Sequence, residues 1–392
     1  MTTISSLSAA DFHAERTTSA RNASIDHARS FLTLVVLLHH AVIPYTYFGH
    51  TDAKSWAGLD TIVLATDSFF MAMFFFLSGL FVWPSLTRKT LAAYLNDRML
   101  RLGLPFVISA FTIIPIAYYA IELRQNPGAG FSQFWWKTIT AGPWPGGPVW
   151  FIWVLFAFHL AATLLYLVSP RALDPINRLS AQAFKRPAKF FLFMLAVTAI
   201  VYIPCRIYFG PGRWFTFGPF DLQATRVLLY PSYFFIGAAI GSANVDRGLL
   251  GTEGRLADTS GTWALVALVP YCLMWLLIYV KREILANPVW LPDWYEGSYG
   301  LCFAVFSAAM LFAIMGFFLG SKRPWMLLDR MQGDAYGMFL VHYPIVLWLQ
   351  YWLFDFDLPA IVKALTAFVG TVVLSWGLTA MLRQIPGAKR VL

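Results

Sequence analysis

The stretch RSFLTLVVLLHHAVIP, residues 29–44, decides how this chain is built. It opens on Arg29, runs through nine residues of which only Ser30 and Thr33 are polar, and then sets His39 and His40 side by side. Crossing the hydrocarbon core of a bilayer takes about 20 apolar residues in a helix, so this segment reads as most of one span. Around it lie 392 residues that are 58% hydrophobic and only 12% charged, with mean hydropathy +0.61. Soluble domains carry about twice that share of charge. The 35 Phe, 17 Tyr and 16 Trp are an aromatic load typical of chains that border lipid headgroups.

Ten segments are long and apolar enough to read as spans, near 30–48, 61–83, 102–121, 149–168, 190–209, 226–241, 262–280, 298–319, 335–353 and 360–382. The sixth, with its FFIGAAIG, is short. The expectation is an all-α polytopic membrane protein of about ten transmembrane helices with both termini cytoplasmic. It would comprise a cytoplasmic segment 1–28, a core 29–383 and a tail 384–392, with no room for a separate soluble domain. Charge supports the alternation. Of the 29 basic residues, twenty fall on segments on the N-terminal side and seven on the opposite side, Arg226 and Lys363 lying at helix edges. Cytoplasmic segments collect Lys and Arg, so the net charge of +9 reads as orientation and not as nucleic-acid binding. The first 28 residues have no apolar core, and the first run lacks a cleavage site, so it is expected to remain as an anchor. Cys205, Cys272 and Cys302 show no CxxC or Cys/His metal spacing and are expected to pack; no metal site is argued.

Within the first span, eleven residues are almost three whole helical turns, so Arg29 and His40 share a face, with Asp26 and Thr33 on the same stripe. The rise from Arg29 to His40 is about 16 Å, which carries the imidazole deep into the membrane. Asp26 and Arg29 are expected to pair at the inner boundary. Ionisable groups at such depth usually face a cavity or pathway, and histidine suits proton transfer near neutral pH. The plainer alternative for a buried histidine is a hydrogen bond across helices, and His39 is expected to make one or to pack. Further on, TRKTLAAYLNDRMLRLGLPF places Arg98 and Arg101 three apart, expected on one helix face at the level of Arg29. Paired guanidiniums suit phosphate, although basic residues at that boundary also anchor to lipid headgroups. Together these residues suggest a donor with a phosphate-rich head and a slender reactive arm, the shape of a coenzyme A thioester.

IDHARSFLTLVVLLHH, FFMAMFFFLSGLF, NDRMLRLGLPF, GPVWFIWVLFAFHL, YPSYFFIGAAIG and AYGMFLVHYPIVLW occur in that order, and over nearly its whole length the chain resembles the membrane-bound acyltransferase-3 family. The resemblance implies a ten-helix core that moves an acetyl or succinyl group from cytoplasmic acyl-CoA to a hydroxyl of an envelope or exported carbohydrate, the glucan-modifying branch being closest in flavour. By position it implies that Arg29, Arg98 and Arg101 serve the CoA side and His40 catalysis, with His342 structural or pocket-lining. The setting implied is a bacterial inner membrane, with lipids and a glycan acceptor as partners. One position departs: many relatives have a His two residues before the Trp of the fourth-span motif, where this chain has Pro148 before Val149 and Trp150. Asp67, in the polar notch TDSF, is expected to orient His40; its alternatives are a bond to Thr66 or Ser68 or a helix contact. Ser78 and Gly79 are expected to permit close packing. Asp221 and Arg226 are expected to pair with each other. The loop AGPWPGGPVW and the trio Trp294, Tyr295 and Glu296 are expected outside, as interfacial turns or at the border of an acceptor. A transporter or flippase for a lipid-linked or small anionic substrate is the rival reading, and a catalytically silent relative a third.

Overall fold

A computed structural model describes residues 9–49, 51–242, 248–287, 290–321 and 323–392, with 9–22 as backbone only. Of the basic residues in the charge count, Arg247 and Lys322 lie outside the described residues. The chain is 76% helical. Helix α1 is Ala9–Val42, followed by a 3₁₀ turn Ile43–Tyr45; α2 is Ala57–Gly79 and α3 is Val82–Arg88. Helices α4 (Leu91–Arg98), α5 (Leu104–Ile108) and α6 (Ile114–Gln125) form one rod joined by two π turns, Met99–Gly103 and Ser109–Ile113. Then come α7 (Phe131–Thr140), α8 (Trp150–Val168), α9 (Asp174–Ala183) and α10 (Pro187–Phe209). An antiparallel hairpin of β1 (Trp214–Phe217) and β2 (Phe220–Gln223) leads through a 3₁₀ turn Ala224–Arg226 into α11 (Leu229–Gly241). The remainder is α12 (Arg255–Asp258), α13 (Ser260–Tyr279), α14 (Asp293–Gly320), α15 (Met326–Met331), α16 (Ala335–Leu353) and α17 (Ala360–Leu382).

Among the described residues, eight helices or helical rods have the length and hydropathy to cross a membrane. The two other expected spans are α11 and α16. At 13 residues, α11 is about 20 Å long, shorter than the hydrocarbon core; α16 carries His342 and Gln350 among its apolar residues. The backbone of the first helix continues back to Ala9, beyond the apolar run that starts at Ser30. Outward-facing positions on α13 (Leu265, Val269, Leu273, Leu276) and α17 (Val362, Leu365, Val369, Val373) are large and apolar, as a lipid-facing surface requires.

Contacts between distant residues define two ends of the bundle. At one end His27 meets Asp329 at 2.5 Å, and Arg383 meets Asp334 at 2.5 Å. His27 of α1 and the end of α17 therefore lie at the same end. At the opposite end Asp60 accepts from the Tyr47 and Phe48 amides, Lys363 pairs with Asp52 at 3.1 Å, and Arg124 donates to the Thr51 carbonyl.

Glycine sets the closest packing. A Cβ on Gly237 would stand 2.1 Å from the Phe76 carbonyl oxygen, and one on Gly79 2.1 Å from that of Phe234. The helices α2 and α11 thus touch backbone to backbone, as small-residue interfaces in membranes do. The π turns answer to proline. Pro105 and Pro115 have no N–H, so the carbonyls four residues earlier, Arg101 and Phe111, lose their helical donors. The Tyr336 hydroxyl donates to the Arg101 oxygen, and the Trp135 indole donates to that of Phe111 at 2.8 Å. At both breaks a side chain from another helix thus answers the carbonyl that proline leaves.

Candidate active site

Helix α1 delivers His39 and His40 in its last turn. The final carbonyls of a helix have no internal partner. Here the Gln350 amide of α16 reaches across and donates to the His40 oxygen at 2.8 Å, tying the histidine-bearing end of α1 to α16. The same helix sets His342 and Tyr343 against His40, with ring centres 5.3 Å and 5.2 Å away. His39 stands edge-on to His40 at 5.5 Å.

The three imidazoles differ in freedom. Thr66 Oγ1 donates to the Ile62 carbonyl, so His39 Nδ1, 2.8 Å away, is the donor to Thr66. His39 makes the cross-helix bond expected of it. His342 Nδ1 donates to the Phe339 carbonyl at 2.6 Å, which leaves its buried Nε2 as an acceptor without a partner. His40 is the least buried of the three. It borders a cavity of about 140 Å³ together with His39, Asp67, Trp150, Arg226 and Tyr230.

Asp67 does not hydrogen-bond His40. Its two carboxylate oxygens are taken by the Arg226 guanidinium, one at 3.2 Å and the other closer. This fork corrects two expectations at once, because Arg226 was assigned to Asp221. Asp221 is instead buried in β2, its Oδ1 without a partner, and burial pushes its carboxyl up from the ordinary value. Asp67 and Arg226 are 159 residues apart in the chain, so no local spacing could have joined them. A second buried ion pair, Arg206 with Glu296, joins residues 90 apart.

The arginines assigned to the donor sit elsewhere. Arg29 is exposed and makes the expected but long contact with Asp26, 3.5 Å. Arg98 lies over the Tyr94 ring at 5.2 Å, and the Tyr94 hydroxyl meets His159 Nδ1 at 2.6 Å. The Nε of Arg98 is buried without a partner among the described residues. The wider π turn between them changes the facing of the pair: Arg98 is half-buried, Arg101 exposed. The structure links this corner to the imidazoles through α16, where Tyr336 touches Arg101 and His342 lies six residues on, about 9 Å along the axis.

No open shaft runs along α1 from Arg29 to His40. Thr33 and Val36, on the stripe between them, are 2% and 1% exposed. Phe74, Phe151 and Phe339 contact one another at 5.6–6.3 Å, and Phe339 floors the histidine cavity on the Arg101 side. On the far side, Tyr343 passes by its hydroxyl to Tyr118 at 3.3 Å. Tyr118 lines a separate cavity of about 400 Å³ that includes Gly142, Pro143, Trp144 and Pro145 of the AGPWPGGPVW loop. Pro148, at the departed position, lines the histidine cavity beside Trp150.

The chain matches no curated protein and no solved structure. The family described as an acyltransferase domain matches it over residues 22–380. A helical membrane core and that match over nearly the whole length agree: the chain belongs to the acyltransferase-3 family and is a membrane O-acyltransferase.

Proposed function

We propose that the protein moves an acetyl or succinyl group from acyl-CoA to a hydroxyl of an envelope or exported carbohydrate such as a glucan. In this reading the membrane is the bacterial inner membrane, and α11 and α16 complete ten passes with both termini cytoplasmic. Arg29, Arg98 and Arg101 then face the cytoplasm and hold the anionic head of the donor. The bare Nε of Arg98 supports an anionic ligand there, since a buried unpaired charged donor costs stability.

The acyl arm reaches His40 by displacing the Phe74–Phe151–Phe339 cluster. His40 takes the proton of the acceptor hydroxyl as its oxygen attacks the thioester carbonyl. The carbonyl carbon gains the new C–O bond, the C–S bond breaks, and the proton passes to the departing thiolate. The single observation that carries this assignment is that His40 is the most exposed of three neighbouring imidazoles and borders the cavity, whereas His39, which also lines it, is held by Thr66. The test is purified protein with labelled acyl-CoA. His40→Ala is expected to lower transfer by about 10²–10⁴-fold while acyl-CoA still binds; Arg98→Ala and Arg101→Ala are expected to weaken that binding. Retained transfer in folded His40→Ala removes the catalytic assignment, and failure to release free CoA favours transport.

A further inference from the structure

A cavity of about 1040 Å³ opens between α2, α10, α13 and α14. It lies at the end of the bundle away from Arg29, since Phe48 and Asp60 are at its edge. Its volume is at the upper end for a ligand pocket, and its walls are regular. Asp60, Leu64 and Asp67 come from one face of α2, while Tyr295, Tyr299 and Phe303 come from one face of α14 at intervals of four. Eight residues of helix give that second wall a depth of about 12 Å. At the base stands the Asp67–Arg226 fork. Both of those residues, with Gln223, also line the cavity of His40. The two cavities are therefore separated by one ion pair.

The lining chemistry is specific. Tyr202 and Tyr295 are 1% and 2% exposed, yet their hydroxyls, like that of Tyr299, hydrogen-bond to no protein group among the described residues. With their rings in the cavity wall, these phenols are free to bond a ligand. Around them are aromatic faces: Trp275 stacked with Phe48 at 6.2 Å, and Tyr202 stacked on Phe303 at 4.0 Å. Fixed rings, free phenols and one guanidinium–carboxylate fork suit a molecule with many hydroxyls and apolar ring faces. They do not suit a lipid tail.

We propose that this cavity is the acceptor subsite: a carbohydrate segment enters it from the end opposite Arg98, and one hydroxyl passes the Asp67–Arg226 pair to reach His40. The proposal rests on the acyl-transfer reading above and adds the place and the residues that hold the acceptor. The phenols of Tyr202 and Tyr299 bind sugar hydroxyls, Trp275 seats a ring, and the fork admits one hydroxyl at a time.

The probe is a pool of envelope oligosaccharides stripped of their esters with alkali. It is offered with radiolabelled acetyl-CoA or succinyl-CoA to purified protein. Label in the carbohydrate fraction is read against oligosaccharide concentration, and acyl-CoA affinity is measured separately. The double variant Tyr202→Phe/Tyr299→Phe keeps both rings, and Trp275→Ala probes the stacking wall. Each is expected to raise half-saturation by oligosaccharide about fivefold or more, with acyl-CoA affinity unmoved. Unchanged half-saturation in both variants overturns the subsite while leaving acyl transfer standing. If the unaltered protein binds acyl-CoA but labels no carbohydrate, the carbohydrate reading itself falls, and this proposal with it.

Discussion

Each of the three imidazoles at the end of α1 has a different set of partners, and substitution is expected to separate them. His39 spends its Nδ1 proton on Thr66, so His39→Ala should lower stability by about 1–2 kcal/mol and reduce transfer less than tenfold, read by thermal melting and by labelled-acyl assay. The much larger loss expected at His40→Ala would then mark chemistry and not packing. Asp221 offers a test in pH. Burial holds its proton in the folded chain at pH values where the unfolded chain, with an aspartate near 3.9, has released it. Its contribution to stability is thus lost as pH rises above that value. Asp221→Asn should melt higher than the parent near pH 7 and equal to it near pH 3.5. The RxxR spacing was legible in the sequence, but the π turn that changes its facing was not. That turn is built at Pro105, which leaves the Arg101 carbonyl without its helical donor, and Tyr336, 235 residues on from Arg101, answers it.

At the scale of elements, the closest pairing is α2 with α11. The sequence already suggested close packing at Ser78 and Gly79; the structure shows the partner to be FFIGAAIG. Gly237→Leu should drive α2 and α11 apart, because its Cβ alone would meet the Phe76 carbonyl. Overpacking costs about 1–3 kcal/mol in soluble cores, so a broadened or aggregated size-exclusion profile is expected; a monodisperse, active variant would contradict backbone contact. The buried Lys363–Asp52 pair, 2% and 3% exposed on its side chains, locks the loop after α1 to α17. Lys363→Met alone leaves a buried carboxylate and should cost about 3–5 kcal/mol. Adding Asp52→Leu should restore much of it, as measured by melting of the single and double variants. Neither partner announces the other in sequence, since 311 residues separate them.

For the whole molecule, the decisive question is which end faces the cytoplasm. Gly128, in the loop after α6, has nothing near its missing Cβ, and Ala92 is exposed near the start of α4. In intact cells a membrane-impermeant maleimide should label Gly128→Cys, and label Ala92→Cys only after permeabilisation. The reverse pattern would invert the bundle and place Arg98 outside, away from cytoplasmic acyl-CoA.

The sequence by itself determined the membrane class, the helical fold and the placing of Arg29 and His40 three turns apart along the first helix. All three follow from hydropathy and from the fixed turn of a helix, and both are local quantities. Only the tertiary structure decided who meets whom: that Asp67 answers to Arg226 and not to His40, that Phe339 blocks the way from the arginines, and that α14 lends a wall of aromatic rings to a cavity beside the histidines. Those contacts join residues more than a hundred positions apart. They are fixed by how helices pack and by the cost of leaving a buried charge or carbonyl without a partner, and no spacing along the chain records either.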